Sequence, residues 1–368
     1  MVGLSCIIKA KFKEDFFLSL TTAFIENKHE DMIIYPEKLK KGDEIRILAP
    51  SSSMSSVSQD NITLAKLKLQ ELGYKVSFGQ NSYQINDFND SSSIQARVWD
   101  LHEAFSDPNV KMILPVIGGY HSNQLLDYLD YDLIRNNPKI LGGYSDTTAL
   151  QNAITTRTGL VTYSTIAFIM MSKVKNNEYS FESFLNCLTL NNEYKILPPK
   201  QWDDSQWYIN QDNYKLHDDT NFTLIQETKN DEFKNFKTSG RIIGGHLGSL
   251  RLLQGTKFFP DQKEDYIYFL EECAPSKGEN FDRELQSLLH TSNLKHLKGI
   301  LIGRFQIESQ IDTNTLKSII SQYRELKNLP IICNVPFGHT YPISSFPIGG
   351  VVELEVINKE ITIKIIKH

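Results

Sequence analysis

Short apolar runs alternate with helical patterns through the first half of the chain. Glu44–Leu48 and Lys75–Phe78 have the length and apolar content of strands, as do residues 112–117 and 139–141. Apolar residues recur at the three- and four-residue spacing of a helix in residues 62–72, 94–105, 122–129 and 147–156. Strands that alternate with helices are typical of a parallel sheet with crossover helices. The pattern therefore predicts an α/β fold, with an N-terminal domain built on an open, mostly parallel sheet with flanking helices.

A second α/β pattern occupies the end of the chain. We expect strands at residues 241–243, 266–270, 299–302 and 331–333, and helices at residues 247–253, 280–289 and 315–326. A closing hairpin is expected over residues 351–366, with its turn at Asn358-Lys359. A hairpin adds antiparallel strands to the parallel ones that crossover helices produce. This half therefore predicts a smaller C-terminal α/β domain with mixed strands.

The stretch between the two patterns has little periodicity. Residues 172–238 are rich in Asn, Asp, Lys and Tyr, which predicts a linker and a long loop region. At 368 residues, the chain is too long for one ordinary core. We therefore expect one domain over residues 32–171 and another over residues 239–368, joined by this linker. Residues 1–31 are interpreted as an N-terminal extension.

Charge and cysteine content narrow the functional classes. The formal net charge is -5 and the pI is near 6.0, which argues against a surface for a nucleic-acid polymer. Four cysteines without a C-x-x-C pair are too few for a disulfide framework and favour reduced thiols in a cytoplasmic protein. No apolar run approaches the roughly 18–20 residues that span a bilayer. We therefore expect a cytoplasmic protein whose partner is neither a nucleic acid nor a membrane.

The segment LGGYSDT is the first candidate for chemistry. A strand that runs through a tight turn into a helix lifts a serine hydroxyl above the sheet edge, where backbone amides point at the attacked atom. Ser145 is therefore a candidate nucleophile, and the amide of Asp146 is a candidate oxyanion donor. The motif differs from G-x-S-x-G because Thr147 replaces the last glycine. The alternative is that Ser145 and Asp146 only cap the helix.

Three further segments can complete a catalytic site. Gly118-Gly119 follows a strand, so its backbone can approach a ligand and Gly119 can supply a second oxyanion donor; an ordinary turn is the alternative. His339 lies after Pro-Phe-Gly beyond a strand end, which suits a general base, although it fits an exposed loop histidine as well. Glu271 ends a buried strand, where a carboxylate needs a partner. Serine hydrolases use the order Ser, Glu, His, so Ser145, Glu271 and His339 are a candidate triad.

No metal or cofactor site is predicted. The sequence contains neither H-E-x-x-H nor a local cluster of Cys and His. It also lacks the phosphate-binding pattern G-x-x-x-x-G-K-[ST] and the dinucleotide pattern G-x-G-x-x-G. His246 follows Gly244-Gly245 and is interpreted as a residue that lines the cleft.

Several blocks in series resemble one family of enzymes. The segments YPEKLKKGD and APSS resemble the opening of the LD-carboxypeptidase family of serine peptidases. The resemblance continues through GGYHSNQLLDYLDYDLI, ILGGYSDTTAL, RIIGGHLGSLRLLQGTKFFPD, YFLEE, FDRELQSLL, GILIGRF, VPFGH and PIGG, and covers residues 32–368 in order. Within the family, the sequence is more similar to the branch of the microcin C self-immunity protein.

The resemblance implies a serine hydrolase that cleaves an amide bond in a small peptide-like substrate without a cofactor. It implies that Ser145 is the nucleophile, that His339 is the base and that Glu271 orients the base. The amides of Gly119 and Asp146 would form the oxyanion hole. Because Ser145 lies in the first half and the other two residues lie in the second, the active site is expected at the domain interface. Family members also imply a homodimer.

Two substrate classes follow from the resemblance. One is an aminoacyl-nucleotide of the microcin C type, whose cleavage gives immunity; the other is the muropeptide tetrapeptide, from which an LD-carboxypeptidase releases terminal D-Ala in cell-wall recycling. The expected substrate contacts are Gly118, Tyr120, His246 and Trp207, with Trp202 as an alternative to Trp207. The family often has Asn at the position of His246. A non-catalytic two-domain ligand-binding protein is the alternative of another class, and the intact Ser, Glu and His set argues against it.

Overall fold

A four-stranded parallel sheet forms the centre of the first half. The computed structural model describes residues 32–86, 88–218, 221–225 and 235–368, so the proposed extension at 1–31 lies outside the described residues. The strands pair in the order β2-β1-β3-β4 and are β1 (Glu44–Leu48), β2 (Lys75–Phe78), β3 (Val110–Pro115) and β4 (Ile140–Leu141). Their helices are α1 (Gln59–Glu71), α2 (Ile94–Ser106), α3 (Tyr131–Asn136) and α4 (Thr147–Thr158). The open parallel sheet with flanking helices is therefore confirmed.

The inner strand β3 of this sheet is covered on both faces. Every residue of β3 except Lys111 is buried, and β1 buries Ile45, Ile47 and Leu48. Parallel strands that are covered by helices on both sides are near-continuous apolar runs rather than alternating ones. The burial pattern thus explains why β3 was recognisable from its apolar content.

The second sheet has eight strands of mixed direction. Its order is β6-β16-β15-β10-β11-β12-β13-β9, and β10 to β13 run parallel. The parallel strands are β10 (Asn235–His246), β11 (Tyr266–Glu271), β12 (Leu297–Gly303) and β13 (Ile331–Val335). The antiparallel strands are β6 (Tyr194–Ile196), β9 (Thr223–Leu224), β15 (Val351–Ile357) and β16 (Glu360–Lys367). The helices are α6 (Leu247–Arg251), α7 (Gly278–Thr291) and α8 (Thr313–Ile320). The predicted mixed strands and the closing hairpin are confirmed.

The segment between the two patterns holds more structure than its sequence suggested. Where a linker and a long loop were expected over residues 172–238, the chain forms α5 (Glu178–Thr189) and contributes β6 and β9 to the edges of the second sheet. It also forms the two-stranded pair of β7 (Gln201–Trp202) and β8 (His217–Asp218). The buried face of α5 includes serines beside Phe184, Cys187 and Leu188. Because these small polar residues interrupt the apolar face of α5, the sequence does not show the three- and four-residue apolar spacing that predicts a helix.

Two predicted helices have a different form. Instead of one helix over residues 315–326, α8 ends at Ile320 and a separate 3-10 turn forms at Arg324–Leu326. Between them, the buried Tyr323 donates its hydroxyl to the carbonyl oxygen of Asp282 at 2.9 Å, which fixes the chain to α7. The helix expected over residues 122–129 is a 3-10 helix at Ser122–Tyr128.

A small sheet and α4 join the two halves. β5 (Thr162–Ser164) pairs antiparallel with β14 (Phe346–Ile348). Asn152 on α4 donates to the carbonyl oxygen of Gly244 at 2.8 Å, and the amide of His246 donates to Oγ1 of Thr148 at 3.1 Å. These bonds place the carboxyl end of β10 beside the first turn of α4, so the segments that carry Ser145 and His246 face each other. Each helix within the described residues is too short or too polar to cross a membrane.

Candidate active site

The turn between β4 and α4 presents Ser145 in a left-handed backbone conformation. Its φ is 63°, and Gly143 two residues earlier has a φ of 117°. A Cβ atom at Gly143 would lie 2.8 Å from Oγ1 of Thr147, so the tight turn requires glycine there. Asp146 occupies the N-cap position of α4 but makes no side-chain cap bond. The capping alternative for Asp146 is therefore not supported, and the turn has the strained form of a nucleophile elbow.

One histidine bridges the two halves of the molecule at this turn. The Nε2 atom of His339 lies 3.0 Å from Oγ of Ser145, and its Nδ1 atom lies 2.7 Å from Oε2 of Glu271. The side chain of Glu271 is 3% exposed and that of His339 is 18% exposed. The structure therefore brings the three predicted residues into one hydrogen-bonded chain, with the carboxylate buried and the serine end facing the cleft.

Two glycines fit the His339 loop to the buried carboxylate. Gly338 has a φ of 98°, and a Cβ atom there would lie 2.6 Å from Oε2 of Glu271. A Cβ atom at Gly303, at the end of β12, would lie 2.9 Å from Cβ of Glu271. The loop can approach β11 across the end of β12 only because neither position carries a side chain.

The carboxylate of Asp146 fixes the neighbouring glycine loop. It accepts hydrogen bonds from the amides of His121 at 3.0 Å and Ser122 at 2.8 Å, and from the hydroxyl of Ser51. A Cβ atom at Gly118 would lie 3.1 Å from Oγ of Ser145, so this loop lies directly against the serine. This explains why a buried aspartate follows Ser145: its side chain has a structural partner, while its amide belongs to the turn.

The two expected oxyanion donors line the same pocket as the serine. Among the described residues, the amides of Gly119 and Asp146 donate no backbone hydrogen bond. Gly119 has a φ of 152°, and a side chain there would collide with the hydroxyl of Ser52. Amides without an internal acceptor at such a position are available to a developing negative charge.

A pocket of about 780 Å³ opens beside the serine and is lined from both halves and from the middle segment. The expected contacts Gly118, Tyr120, His246 and Trp207 all line it. Tyr120 is 85% exposed at the rim, whereas Trp207 is 2% exposed. This volume accommodates a ligand of the size of an aminoacyl-nucleotide.

The two tryptophans of the middle segment have different environments. Trp207 packs edge-on against Tyr341 at a ring distance of 5.8 Å, so most of its surface supports the pocket wall. The ring of Trp202 is tilted against that of His217 at a centroid distance of 4.7 Å, with the guanidinium of Arg304 5.2 Å from the indole ring. Trp202 is not among the residues that line this pocket.

A second ionisable cluster lies on the pocket wall. Nε2 of His246 lies 3.4 Å from Oε2 of Glu272 and 3.6 Å from Sγ of Cys273, and the rings of His246 and His339 are 5.6 Å apart. Burial alone would lower the pKa of His246, but hydrogen bonds with Cys273 and Glu272 hold that pKa well above its ordinary value. Burial alone would raise the pKa of Glu272, and His246 holds it below its ordinary value.

Several residues of this site were not predicted from the sequence. Cys273, Tyr208 and Tyr341 line the pocket, and Gly338 shapes the base loop. The one available signal was the Glu271-Glu272 pair at the end of a buried strand, since two adjacent acids there need separate partners. The aromatic residues carried no signal because their neighbours come from distant segments.

Comparison with known families identifies both halves. Residues 45–165 match the LD-carboxypeptidase N-terminal domain, and residues 239–354 match the LD-carboxypeptidase C-terminal domain. The chain is 45% identical over 335 residues to YocD of Bacillus subtilis (strain 168), which is provisionally named a carboxypeptidase; the match covers 91% of this chain and 100% of YocD. It is 27% identical to the microcin C7 self-immunity protein MccF of Escherichia coli, over 88% of this chain and 94% of MccF. It is also 27% identical to a probable murein peptide carboxypeptidase of Bacillus subtilis (strain 168), over 89% of this chain and 94% of the relative.

Solved structures support the same assignment. The MccF-like protein from Bacillus anthracis str. Ames superposes with a TM-score of 0.87 at 46% identity, covering 91% of this chain and 100% of that one. MccF in complex with aspartyl sulfamoyl adenosine superposes with a TM-score of 0.79 at 27% identity, covering 91% and 99%. The chain therefore belongs to the LD-carboxypeptidase family, which makes it an amide hydrolase of the carboxypeptidase type.

Proposed function

We propose that this protein is a serine hydrolase that cleaves an amide bond in a small peptide-like substrate, with Ser145, His339 and Glu271 as its catalytic triad. The observation that carries the proposal is the bridge made by His339, which contacts Ser145 at 3.0 Å and Glu271 at 2.7 Å from opposite ring nitrogens. A binding protein has no need of a nucleophile, a base and a buried carboxylate in this order.

The proposed chemistry is acyl transfer to the serine. His339 takes the proton of Ser145 as Oγ attacks the amide carbonyl, and the buried carboxylate of Glu271 stabilises the resulting imidazolium. The amides of Gly119 and Asp146 bind the tetrahedral oxyanion. His339 then protonates the leaving nitrogen, and water hydrolyses the acyl-enzyme.

An aminoacyl-nucleotide is the first of the two proposed substrate classes. The relative MccF carries the name of a microcin C7 self-immunity protein, and one of its structures contains aspartyl sulfamoyl adenosine. In this chain, the exposed ring of Tyr120, the half-exposed ring of Tyr208 and the edge of Trp207 give the pocket the aromatic surface that a nucleobase needs. Gly118 and His246 lie at the serine end, where the aminoacyl part would bind.

The muropeptide tetrapeptide is the second class, with terminal D-Ala as the leaving group. The family contains a probable murein peptide carboxypeptidase that aligns with most of this chain. A tetrapeptide also fits the pocket volume, so the substrate is decided by assay rather than by size.

The deciding experiment is mass spectrometry of purified protein after incubation with aspartyl sulfamoyl adenosine or with a muropeptide tetrapeptide. Release of aspartate by the wild type but not by Ser145→Ala supports the nucleotide class, and release of D-Ala with the same dependence supports the muropeptide class. A fluorophosphonate label on Ser145 distinguishes a hydrolase from a pure binding protein. A folded Ser145→Ala variant that turns over at the wild-type rate would overturn the nucleophile assignment.

A cytoplasmic homodimer, with domains over 32–171 and 239–368, belongs to the same proposal. It is supported by the family resemblance and by reduced cysteines, of which Cys187, Cys273 and Cys333 are free thiols in the described part of the chain. Light scattering of the purified protein measures the oligomeric state, and a monomeric mass at assay concentration would exclude the homodimer.

A further inference from the structure

Three potential metal ligands converge on the pocket wall next to the catalytic histidine. They are His246, Glu272 and Cys273, and their ligand atoms all lie within 4.8 Å of one another. Within the described residues, this is the one cluster of three such ligands. The signal was absent from the sequence because His246 is distant from the adjacent pair Glu272-Cys273 along the chain.

The two separations that involve His246 match a tetrahedral zinc site. With Zn–N of about 2.05 Å, Zn–S of about 2.3 Å and Zn–O of about 2.1 Å, tetrahedral angles place N and S about 3.6 Å apart and N and O about 3.4 Å apart. Nε2 of His246 lies 3.6 Å from Sγ of Cys273 and 3.4 Å from Oε2 of Glu272. An ion can therefore bind these two edges without a change in the position of His246.

Neighbouring groups orient two of the ligands toward the same point. The amide of Gly248 donates to Oε1 of Glu272 at 2.7 Å, which leaves Oε2 directed at the cluster. Nδ1 of His246 lies 2.9 Å from Oγ of Ser249, so a proton on Nδ1 has an acceptor and Nε2 keeps its lone pair for a metal. In that tautomer Nδ1 no longer accepts the 3.2 Å hydrogen bond from the amide of Ser249. The loss of this one hydrogen bond is offset by the three metal–ligand bonds that form.

Three carboxylates lie at or next to the cluster. Glu272 is 6% exposed on its side chain and is flanked by Glu271 in sequence and by Glu284 in space. Arg251 forms a 2.9 Å ion pair with Glu284 and therefore compensates the charge of Glu284 rather than that of Glu272. A bound divalent cation would supply a counter-charge to Glu272, which faces Nε2 of His246 at 3.4 Å.

We propose that His246, Glu272 and Cys273 form a Zn²⁺ site whose fourth position opens into the catalytic pocket. Binding releases the proton of the Cys273 thiol and any proton on Nε2 of His246, and forms one sulfur, one nitrogen and one oxygen bond to the ion. Because His246 and Cys273 line the same pocket as Ser145, the fourth position takes water or a carboxylate of a bound molecule. The site does not depend on the proposed hydrolytic function.

Cobalt substitution tests the site directly. Metal-free full-length protein is titrated with Co²⁺, which reports a thiolate ligand by a sulfur-to-cobalt charge-transfer band and a tetrahedral site by intense visible bands. We expect both bands to saturate at one equivalent and to disappear when Zn²⁺ is added. Cys273→Ser is expected to abolish the charge-transfer band, and His246→Asn to weaken Co²⁺ binding by more than about tenfold, the loss that removal of even an outer-shell partner causes.

Two matched variants serve as controls. Cys6→Ser removes another thiol and His296→Asn removes a surface imidazole that pairs with Asp265, and both are expected to keep the wild-type spectrum. X-ray absorption of the wild type loaded with one equivalent of Zn²⁺ needs no variant and is expected to give one sulfur among the ligands. A charge-transfer band that persists in Cys273→Ser, the absence of Co²⁺ binding to the wild type, or a zinc shell without sulfur would overturn the proposal.

Discussion

Replacing Glu271 with glutamine tests the central electrostatic claim about the site. Glutamine keeps the size of the side chain and removes its charge. The carboxylate is 3% exposed and lies 2.7 Å from Nδ1 of His339, so the substituted amide occupies the same buried position. The amide also brings an N–H donor, which favours the wrong tautomer of the histidine. The variant thus removes both the stabilisation of the imidazolium and its orientation.

The size of the loss follows from Coulomb's law. A carboxylate and an imidazolium whose charge centres are about 4 Å apart interact by about 4 kcal/mol at an effective dielectric constant of about 20. Since the imidazolium forms as Ser145 attacks, the interaction is present in the transition state and absent with neutral His339. A loss of about 4 kcal/mol raises the barrier enough to lower kcat/KM about 10³-fold.

The assay measures kcat/KM on whichever of the two substrate classes the wild type hydrolyses, and the thermal midpoint of unfolding checks the fold. The matched control is Asp265→Asn, which alters a second carboxylate–histidine pair in which Asp265 and His296 lie 3.1 Å apart at the surface. We expect the control to keep wild-type kinetics. A folded Glu271→Gln protein whose kcat/KM stays within tenfold of the wild type would refute the role of Glu271.

Two further substitutions test the serine loop and the middle segment. Gly118→Ala places a methyl group 3.1 Å from the proposed nucleophile, so we expect kcat/KM to fall by about 100-fold with little change in stability. The control is Gly278→Ala, whose methyl group makes only ordinary contacts, and we expect it to leave both kcat/KM and stability unchanged. Equal kinetics in the two variants would contradict this. Asp203→Ala leaves the ammonium of Lys173 buried and unpaired, so we expect urea unfolding to show a loss of about 3–5 kcal/mol, against less than about 1 kcal/mol for Asp212→Ala in an exposed pair. Similar losses of unfolding free energy in the two variants would show that the buried Lys173–Asp203 pair does not stabilise the middle segment more than an exposed pair does.

The parallel strands and the triad candidates were accessible from sequence because their signals are local. β1 and β2 have the bounds that the sequence predicts, and β3, which is buried except at Lys111, has the near-continuous apolar run that a strand covered on both faces needs. The turn before Ser145 was likewise recognisable from its glycines. Gly143 has a left-handed backbone conformation with no room for a side chain, so the geometry of the turn requires glycine at this position.

The pocket wall was not accessible because its contacts join distant segments. Asp203 pairs by backbone hydrogen bonds with Tyr341, at 2.9 and 2.7 Å, and no local pattern relates these two residues. The same pairing buries Trp207 against Tyr341. The cluster of His246 with Cys273 depends on the parallel pairing of β10 with β11, in which His246 lies opposite Glu271. Register between strands decides such contacts, and a single sequence does not contain it.

The arrangement of strands also explains how the proposed base acquires its orientation. Glu271 ends β11 and His339 follows β13, and β12 lies between these strands, so their backbones are about 9–10 Å apart. The loop after β13 therefore has to fold back over the end of β12, and it does so where Gly303 and Gly338 leave space against Glu271. The carboxylate–histidine pair is consequently built entirely within the second half. Contacts between the halves, which include the bond from Asn152 to Gly244, set the distance from His339 to Ser145, so docking of the two halves brings the proposed base to its nucleophile.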